Sequence, residues 1–166
     1  MSLKDFNSAA EAKAKEMLLH CCHSESWATR MLVRRPFSSP EMLFAAARDI
    51  WFSLTEKDYL EAFLAHPKIG DVNSLRKKYA ATLSMASNEQ QGVNAADEKT
   101  LEELSDLNHK YEEKHGFIFI VFATGKSAQE MLEILKKRIK NSRAEEIKNA
   151  AEEQSKITRL RLEKIL

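Results

Sequence analysis

Phe117-Ile118-Phe119-Ile120-Val121-Phe122-Ala123 is the one apolar run in the chain that reads like a buried strand, and Gly116 and Gly125 bound it. Nothing else in the sequence resembles a pairing partner. A strand without a neighbour has no ladder, so the fold class expected is all-α: a single-domain bundle of about eight helices with one buried extended segment near 117–123. The buried N–H and C=O groups of that segment must then find side chains, short turns or a polar ligand.

Composition supports the same class. Four Gly and three Pro in 166 residues, with 31% of residues charged, describe few turns and many solvated helix faces. The length fits one domain spanning 1–166 with a substantial core. Lys plus Arg is 26 and Asp plus Glu is 25, so the net charge is +1 and no basic field awaits nucleic acid. A small-molecule or protein partner is expected, with no nucleic acid and no membrane. No run approaches the roughly 18 apolar residues of a membrane span, and the N-terminus lacks a signal peptide's apolar stretch. Two adjacent cysteines, Cys21 and Cys22, do not make a disulfide framework and suit a reducing compartment. The chain ends Lys164-Ile165-Leu166, which is not a peroxisomal address. A cytoplasmic protein is expected.

Outward from the strand-like run, helical signals dominate. Ser2 or Asn7 can cap a first helix running to about Cys22. It ends in His20-Cys21-Cys22-His23, whose side chains diverge around a helix and have no second cluster to complete a tetrahedron. A packed helix end is the reading there, and no metal site is expected. Trp27 and Met31 mark a second helix that stops near Arg34-Arg35-Pro36-Phe37. Pro40 starts a third, with Met42, Leu43, Ala46, Ile50, Trp51 and Leu54 at helical spacing. Thr55-Glu56-Lys57-Asp58 resembles a capping box and opens a helix anchored by Leu60, Phe63 and Leu64. Gly70 and Asp71 give a turn, residues 72 to 80 a short helix, and a flexible run leads to Ser87. Ser127 begins a helix with Met131, Leu132, Leu135 and Ile139 inward, and the last helix runs from about Ala144 to the end.

Four polar groups stand out against these apolar faces. His66 precedes Pro67, which disfavours αR before it, so the imidazole should sit at a helix end. Such a turn can be structural or catalytic. Glu89 falls at the start of the long helix after Ser87, where the dipole favours a carboxylate. Ser87 and Gln90 stand at capping spacing, which explains them but not Glu89. On a 3.6-residue period Glu89 lies within ~40° of Val93, Thr100, Leu104, Leu107 and Tyr111, the inward stripe. In the last helix Ile147, Ala150, Gln154, Ile157, Arg161 and Ile165 share one face, and Arg159 lies opposite with Glu152, Lys156 and Glu163. Arg161 should point inward and Arg159 into solvent. An inward guanidinium needs an anion, either a core carboxylate or a ligand. The chain has no nucleophile beside a base, no phosphate loop and no dinucleotide turn, which leaves cofactor-free proton transfer on an anionic, amide-rich molecule.

"HPKIGD" (66–71), "SNEQQG" (87–92), "YEEKHGFIFIVFATGKS" (111–127) and "KITRLRL" (156–162), in that order, resemble the 2-oxo-4-hydroxy-4-carboxy-5-ureidoimidazoline (OHCU) decarboxylase family. The similarity extends from "CCHSESW" and "RRPF" to the last helix. It implies conversion of OHCU to (S)-allantoin in urate degradation, without cofactor, because the substrate's own C=N bond takes up the electrons left by carbon dioxide. By resemblance His66 is the catalytic proton donor and Glu89 the carboxylate that binds substrate and steers it. Pro67, Gln90 and Arg161 are implied at the substrate, as is the backbone of Ala86, Ser87, Asn88 and Gln90 and of Val121, Phe122, Ala123, Thr124 and Gly125. Many members place a Ser three residues before the Glu; here that position is Ala86 and the serine is Ser87. Relatives suggest a homodimer. Two other readings are a non-enzymatic helical ligand-binding module with the family fold and a decarboxylase of a different ureide.

Overall fold

A computed structural model describes residues 2–67, 71–86 and 91–166, and the side chains among these outside 80–97. The described residues are all-α, with nine helices and no strand: α1 Leu3–Ser8, α2 Glu11–Cys21, α3 Glu25–Val33, α4 Pro40–Phe52, α5 Glu56–Leu64, α6 Val72–Ala86, α7 Gln91–His115, α8 Ala128–Arg138 and α9 Arg143–Ile165. They form two compact units. One is Met1–His66 with Ile120–Phe122 and Ile147–Leu166; the other is Pro67–Phe119 with Ala123–Glu146.

In the first unit α3 packs against α2, α4 and α5 and buries Trp27, Ala28 and Met31. The Trp27 indole donates to Ala47 O at 3.0 Å, and the Trp51 indole to Ala151 O at 2.9 Å, tying α4 to α9. Each large ring is thus buried with its one polar atom satisfied. Pro40 sits in the first turn of α4 with Ser39 as its cap, and Thr55 with Asp58 closes the capping box of α5.

The single N-terminal helix expected to Cys22 is two helices, which accounts for nine in place of about eight. No glycine or proline breaks it. Ala9 and Ala10 leave the helical conformation because residues some thirty positions on hold the end of α1 open. The Arg35 guanidinium donates to Phe6 O at 2.8 Å and Ala9 O at 3.0 Å, taking carbonyls that a continuous helix would use itself. Asn7 brackets Phe37, donating to its carbonyl at 2.8 Å and accepting its N–H at 2.9 Å. Ser2, with Asp5, is the cap.

Three smaller expectations also change. Met42 is 57% exposed and Leu64 is 84% exposed rather than core. Each lies about 100° or more from the centre of the stripe its helix buries, which is Leu43, Ala46, Ala47, Ile50 and Trp51 in α4 and Ala62 and Phe63 in α5. Helix α6 continues to Ala86 instead of stopping near 80 and giving way to a flexible run.

In the second unit α7 packs against α6 on one side and α8 on the other. Leu101, Leu104, Tyr111, Met131, Leu132 and Leu135 are buried there. Ser127 and Glu130 form the capping box of α8. Helix α7 ends at His115; the Gly116 N–H still reaches back to Glu112 O at 2.8 Å, and the φ of +78° at Gly116 turns the chain out of the helix. The run after it has no regular structure: Phe117, Phe119 and Ile120 are buried, and residues 121–123 are half-buried. Gly125, with φ +76°, lies in the turn that lets Lys126 N–H reach Ala123 O at 3.0 Å.

His115 closes α7 with its ring 1% exposed, against Tyr111 at 4.5 Å between ring centroids. Neither ring nitrogen has a hydrogen-bond partner among the described residues. Burial, then the charges of Lys114, Arg138 and Arg143, hold its pKa below the ordinary 6.5, with Glu146 opposing. The folded protein therefore binds this proton less readily than the unfolded chain. Stability should rise with pH through the window below about 6.5 and be lost on acidification, with a slope of up to about 1.4 kcal/mol per pH unit. His115→Leu is expected to flatten urea-unfolding free energies between about pH 5 and 7 relative to wild type. An unchanged slope would assign the acid sensitivity to another group.

Candidate functional site

Helix α5 ends at Leu64, Ala65 caps it, and the His66 N–H closes a last turn to Phe63 O at 3.2 Å. Pro67 follows and is exposed. The proline stop thus leaves the His66 ring half-buried at the helix end, as the sequence predicts.

The ring's partner comes from α9. His66 Nε2 lies 2.5 Å from Gln154 Oε1. Gln154 is 1% exposed, and its amide nitrogen donates to Thr158 Oγ1 at 3.1 Å, one turn further along the helix. Burial pushes the thiol of Cys22 up to about 12, with the Thr158 hydroxyl opposing. Cys21 is likewise raised, to about 11. Both thiols stay protonated and serve as packing groups, in keeping with a buried helix end.

Arg161, two turns on from Gln154, faces inward and half-buried, whereas Arg159 is exposed and pairs with Glu163 at 2.9 Å. The periodicity separated these two correctly. Arg161 Nη1 donates to Cys21 O at 3.2 Å. That carbonyl belongs to the last turn of α2, where unpaired carbonyls and the helix dipole carry partial negative charge. Among the described residues no carboxylate pairs with Arg161. A helix C-terminus holds it in place of the core carboxylate the sequence reading allowed.

Charge and burial act together on His66. Burial is the main reason its pKa falls below 6.5; the charges of Arg161 and His23 lower it further, while the Gln154 contact opposes them. The lowered pKa favours the neutral imidazole at pH 7, and the positive charge of Arg161 acts in that direction.

The fate of the extended run's backbone is partly answered. Phe122 N–H donates to Glu153 Oε2 at 2.7 Å, so a side chain and not a ligand takes this one. Val121 and Ala123 are half-buried, and Thr124 and Gly125 lie in the exposed turn. Glu89, Ser87, Asn88 and Gln90 lie outside the described residues, as does the Ala86 side chain.

The reading of the sequence missed Thr158 and Glu153. Both were findable: position 158 is one turn past Gln154, and 153 is one turn before Ile157, so each borders the inward stripe. A cavity of about 150 Å³ between α4 and α9 lies on the Arg159 side, lined by Phe44, Arg48, Trp51 and Lys156 among others. It reaches Thr158 but neither His66 nor Arg161.

An imidazole from the end of α5 with an amide and a guanidinium from α9 place the chain among all-helical proteins that build a polar centre without a sheet. A sequence model described as OHCU decarboxylase matches residues 7–163. The crystal structure of an OHCU decarboxylase in the presence of (S)-allantoin superposes with a TM-score of 0.73 at 38% identity, covering 91% of this chain and 96% of that one. The chain belongs to the OHCU decarboxylase family. It is 39% identical over 146 residues to the uric acid degradation bifunctional protein TTL of Arabidopsis thaliana, covering 87% of this chain and 45% of that protein. A 2-oxo-4-hydroxy-4-carboxy-5-ureidoimidazoline decarboxylase of Halalkalicoccus jeotgali is 25% identical over 166 residues, covering 99% of this chain and 92% of that one. The chain spans less than half the length of the bifunctional relatives it matches, 45% in Arabidopsis thaliana and 32% in a Bacillus species. No helix among the described residues is long and apolar enough to cross a membrane.

Proposed function

We propose that this chain decarboxylates OHCU to (S)-allantoin in urate degradation, acting as one domain of the family over its whole length. The observation that carries the reading is the half-buried His66 at the stopped end of α5, bonded to Gln154 and under the positive charge of Arg161. The family match over 7–163 supplies the substrate class.

In the proposed reaction the carboxylate leaves as carbon dioxide and its electron pair moves into the substrate's C=N system, whose nitrogen takes up a proton, giving an enol. The enol then collapses to the ketone, losing its hydroxyl proton, as a proton arrives on one face of the ureido-bearing carbon. His66 is the donor. One proton is consumed overall and comes from solvent, so His66 is restored each turn. Glu89 accepts hydrogen bonds from the substrate hydroxyl or ureide N–H and steers His66. Pro67 and Gln90 line the substrate, and the backbone of 86–90 and 121–125 meets its amide edges. At Phe122 such a contact must displace or share the Glu153 hydrogen bond. The reading includes a homodimer and a reducing, cytoplasmic setting for the two free thiols.

Arg161 is assigned to binding. A carboxylate loses its charge as carbon dioxide departs, so a cation gripping it in the ground state would oppose the reaction. Arg161→Ala is therefore expected to raise KM about tenfold or more while changing kcat little. A fall in kcat with KM unmoved would place the guanidinium in the transition state instead.

The experiment that tests the function generates OHCU in place, by running urate through urate oxidase and 5-hydroxyisourate hydrolase, and follows the appearance of optically active allantoin. Faster, enantiopure product with the chain present supports the reading. Unaccelerated decay would leave a binding module with the family fold, and a different product would mean another ureide.

A further inference from the structure

We propose that Gln154 is a positioning residue that holds His66 with its proton on Nε2, so that Nδ1 is the nitrogen that handles the substrate proton. The inference rests on the reading of His66 as proton donor and adds which atom donates and what selects it.

The argument follows the hydrogen bonds inward. A neutral imidazole has one N–H and one lone pair, and the partner of one nitrogen decides the role of both. His66 Nε2 faces Gln154 Oε1 at 2.5 Å. A carbonyl oxygen only accepts, so Nε2 must carry the hydrogen. The orientation of the amide is itself set from behind, because its nitrogen donates to Thr158 Oγ1 at 3.1 Å. The hydroxyl of Thr158 is 6% exposed and takes this N–H through an oxygen lone pair. Flipping Gln154 would give up this amide-to-hydroxyl arrangement and turn the NH₂ toward Nε2, which would then have to accept. Gln154 is 1% exposed and Thr158 6% exposed, so water does not compensate a flipped amide.

The consequence is a one-sided acid. His66 takes a proton from solvent at Nδ1, donates it from Nδ1 to the carbon, and returns to the neutral Nε2–H form. Gln154 keeps its hydrogen bond in both states. A fixed donor atom on a fixed ring is what delivery to a single face of the carbon requires.

The test uses the full chain with ¹⁵N-labelled histidine, the His66 signals being assigned by their loss in His66→Asn. In wild type above the His66 pKa, Nε2 should give the protonated-nitrogen shift and Nδ1 the unprotonated one. Gln154→Leu should yield a tautomer mixture and lower kcat by about 10–100-fold with KM little changed. Thr158→Val should shift the tautomer ratio in the same direction, with Thr158→Ser restoring it. Gln154→Glu should move the His66 titration to higher pH, since a carboxylate now faces the N–H. A wild-type Nδ1–H tautomer, or tautomer populations unmoved by Gln154→Leu in a folded protein, would overturn the proposal. The nitrogen shifts are read without turnover, so a failure of the decarboxylase reading is seen separately, as wild type that does not accelerate loss of OHCU.

Discussion

His66→Asn is expected to lower kcat for OHCU decarboxylation by about 10²–10⁴-fold, the usual contribution of a positioned acid. Whatever allantoin still forms should be racemic, because spontaneous protonation has no preferred face. The fold should survive. His66 lies beyond the end of α5, is half-buried and makes one described side-chain hydrogen bond, to Gln154. Losing one such bond costs about 1 kcal/mol, a small part of a domain's stability. Circular dichroism and thermal unfolding therefore check that the protein is intact, while a stopped assay on freshly generated OHCU reads rate and optical activity together. Wild-type turnover by His66→Ala would remove the imidazole from the proton transfer altogether.

What could be read from the amino acids alone depended on how local its cause was. Pro40, the Thr55–Asp58 box and the Ser127 cap act within one helical turn, and all three start helices where the sequence places them. Pro67 stops α5 for an equally local reason. The break at Ala9–Ala10 was illegible because its cause is a guanidinium and an amide pairing across some thirty residues, and neither alanine carries a signal. The lone strand-like run at 117–123 has no sequence counterpart to pair with, yet residue 122 meets a glutamate on α9 that no local pattern connects to it.

The candidate site divides along the same line. A 3.6-residue period was enough to turn Arg161 inward and Arg159 outward, since both follow from one helix. That His66 meets Gln154 is a tertiary fact: the two are 88 positions apart, and periodicity reports which face a residue occupies and not what it faces. The same limit hid the anion for Arg161. A search for carboxylates could not find the C-terminal carbonyl of α2, because backbone charge at a helix end is invisible as a residue type.

The largest structural effect is expected in the second unit, at Glu146. This carboxylate is 0% exposed and receives the Arg138 guanidinium through Nε and Nη2, both at 2.8 Å. Asn141 donates to its other oxygen at 2.8 Å, and the Tyr111 hydroxyl donates a further short hydrogen bond. Burial and the neighbouring carboxylate keep Tyr111 protonated well above its ordinary pKa, so it is always a donor here. Arg138 also lies 4.7 Å from the centroid of the Phe119 ring, which leaves its charge little water to turn to. Glu146→Ala strands that guanidinium along with two neutral donors, and stranding a buried ionic partner typically costs about 3–5 kcal/mol. For a chain of this length that is a fall in melting temperature of roughly 10 °C. Glu146→Gln, which keeps the shape and loses the charge, should cost less. Replacing both ions, as in Glu146→Leu with Arg138→Met, should recover much of the loss, because neither charge is then buried alone. Urea unfolding of wild type, Glu146→Leu, Arg138→Met and the double variant closes the double-mutant cycle. A double variant as unstable as the sum of the single ones would mean that the ions act through separate neighbours and not through each other.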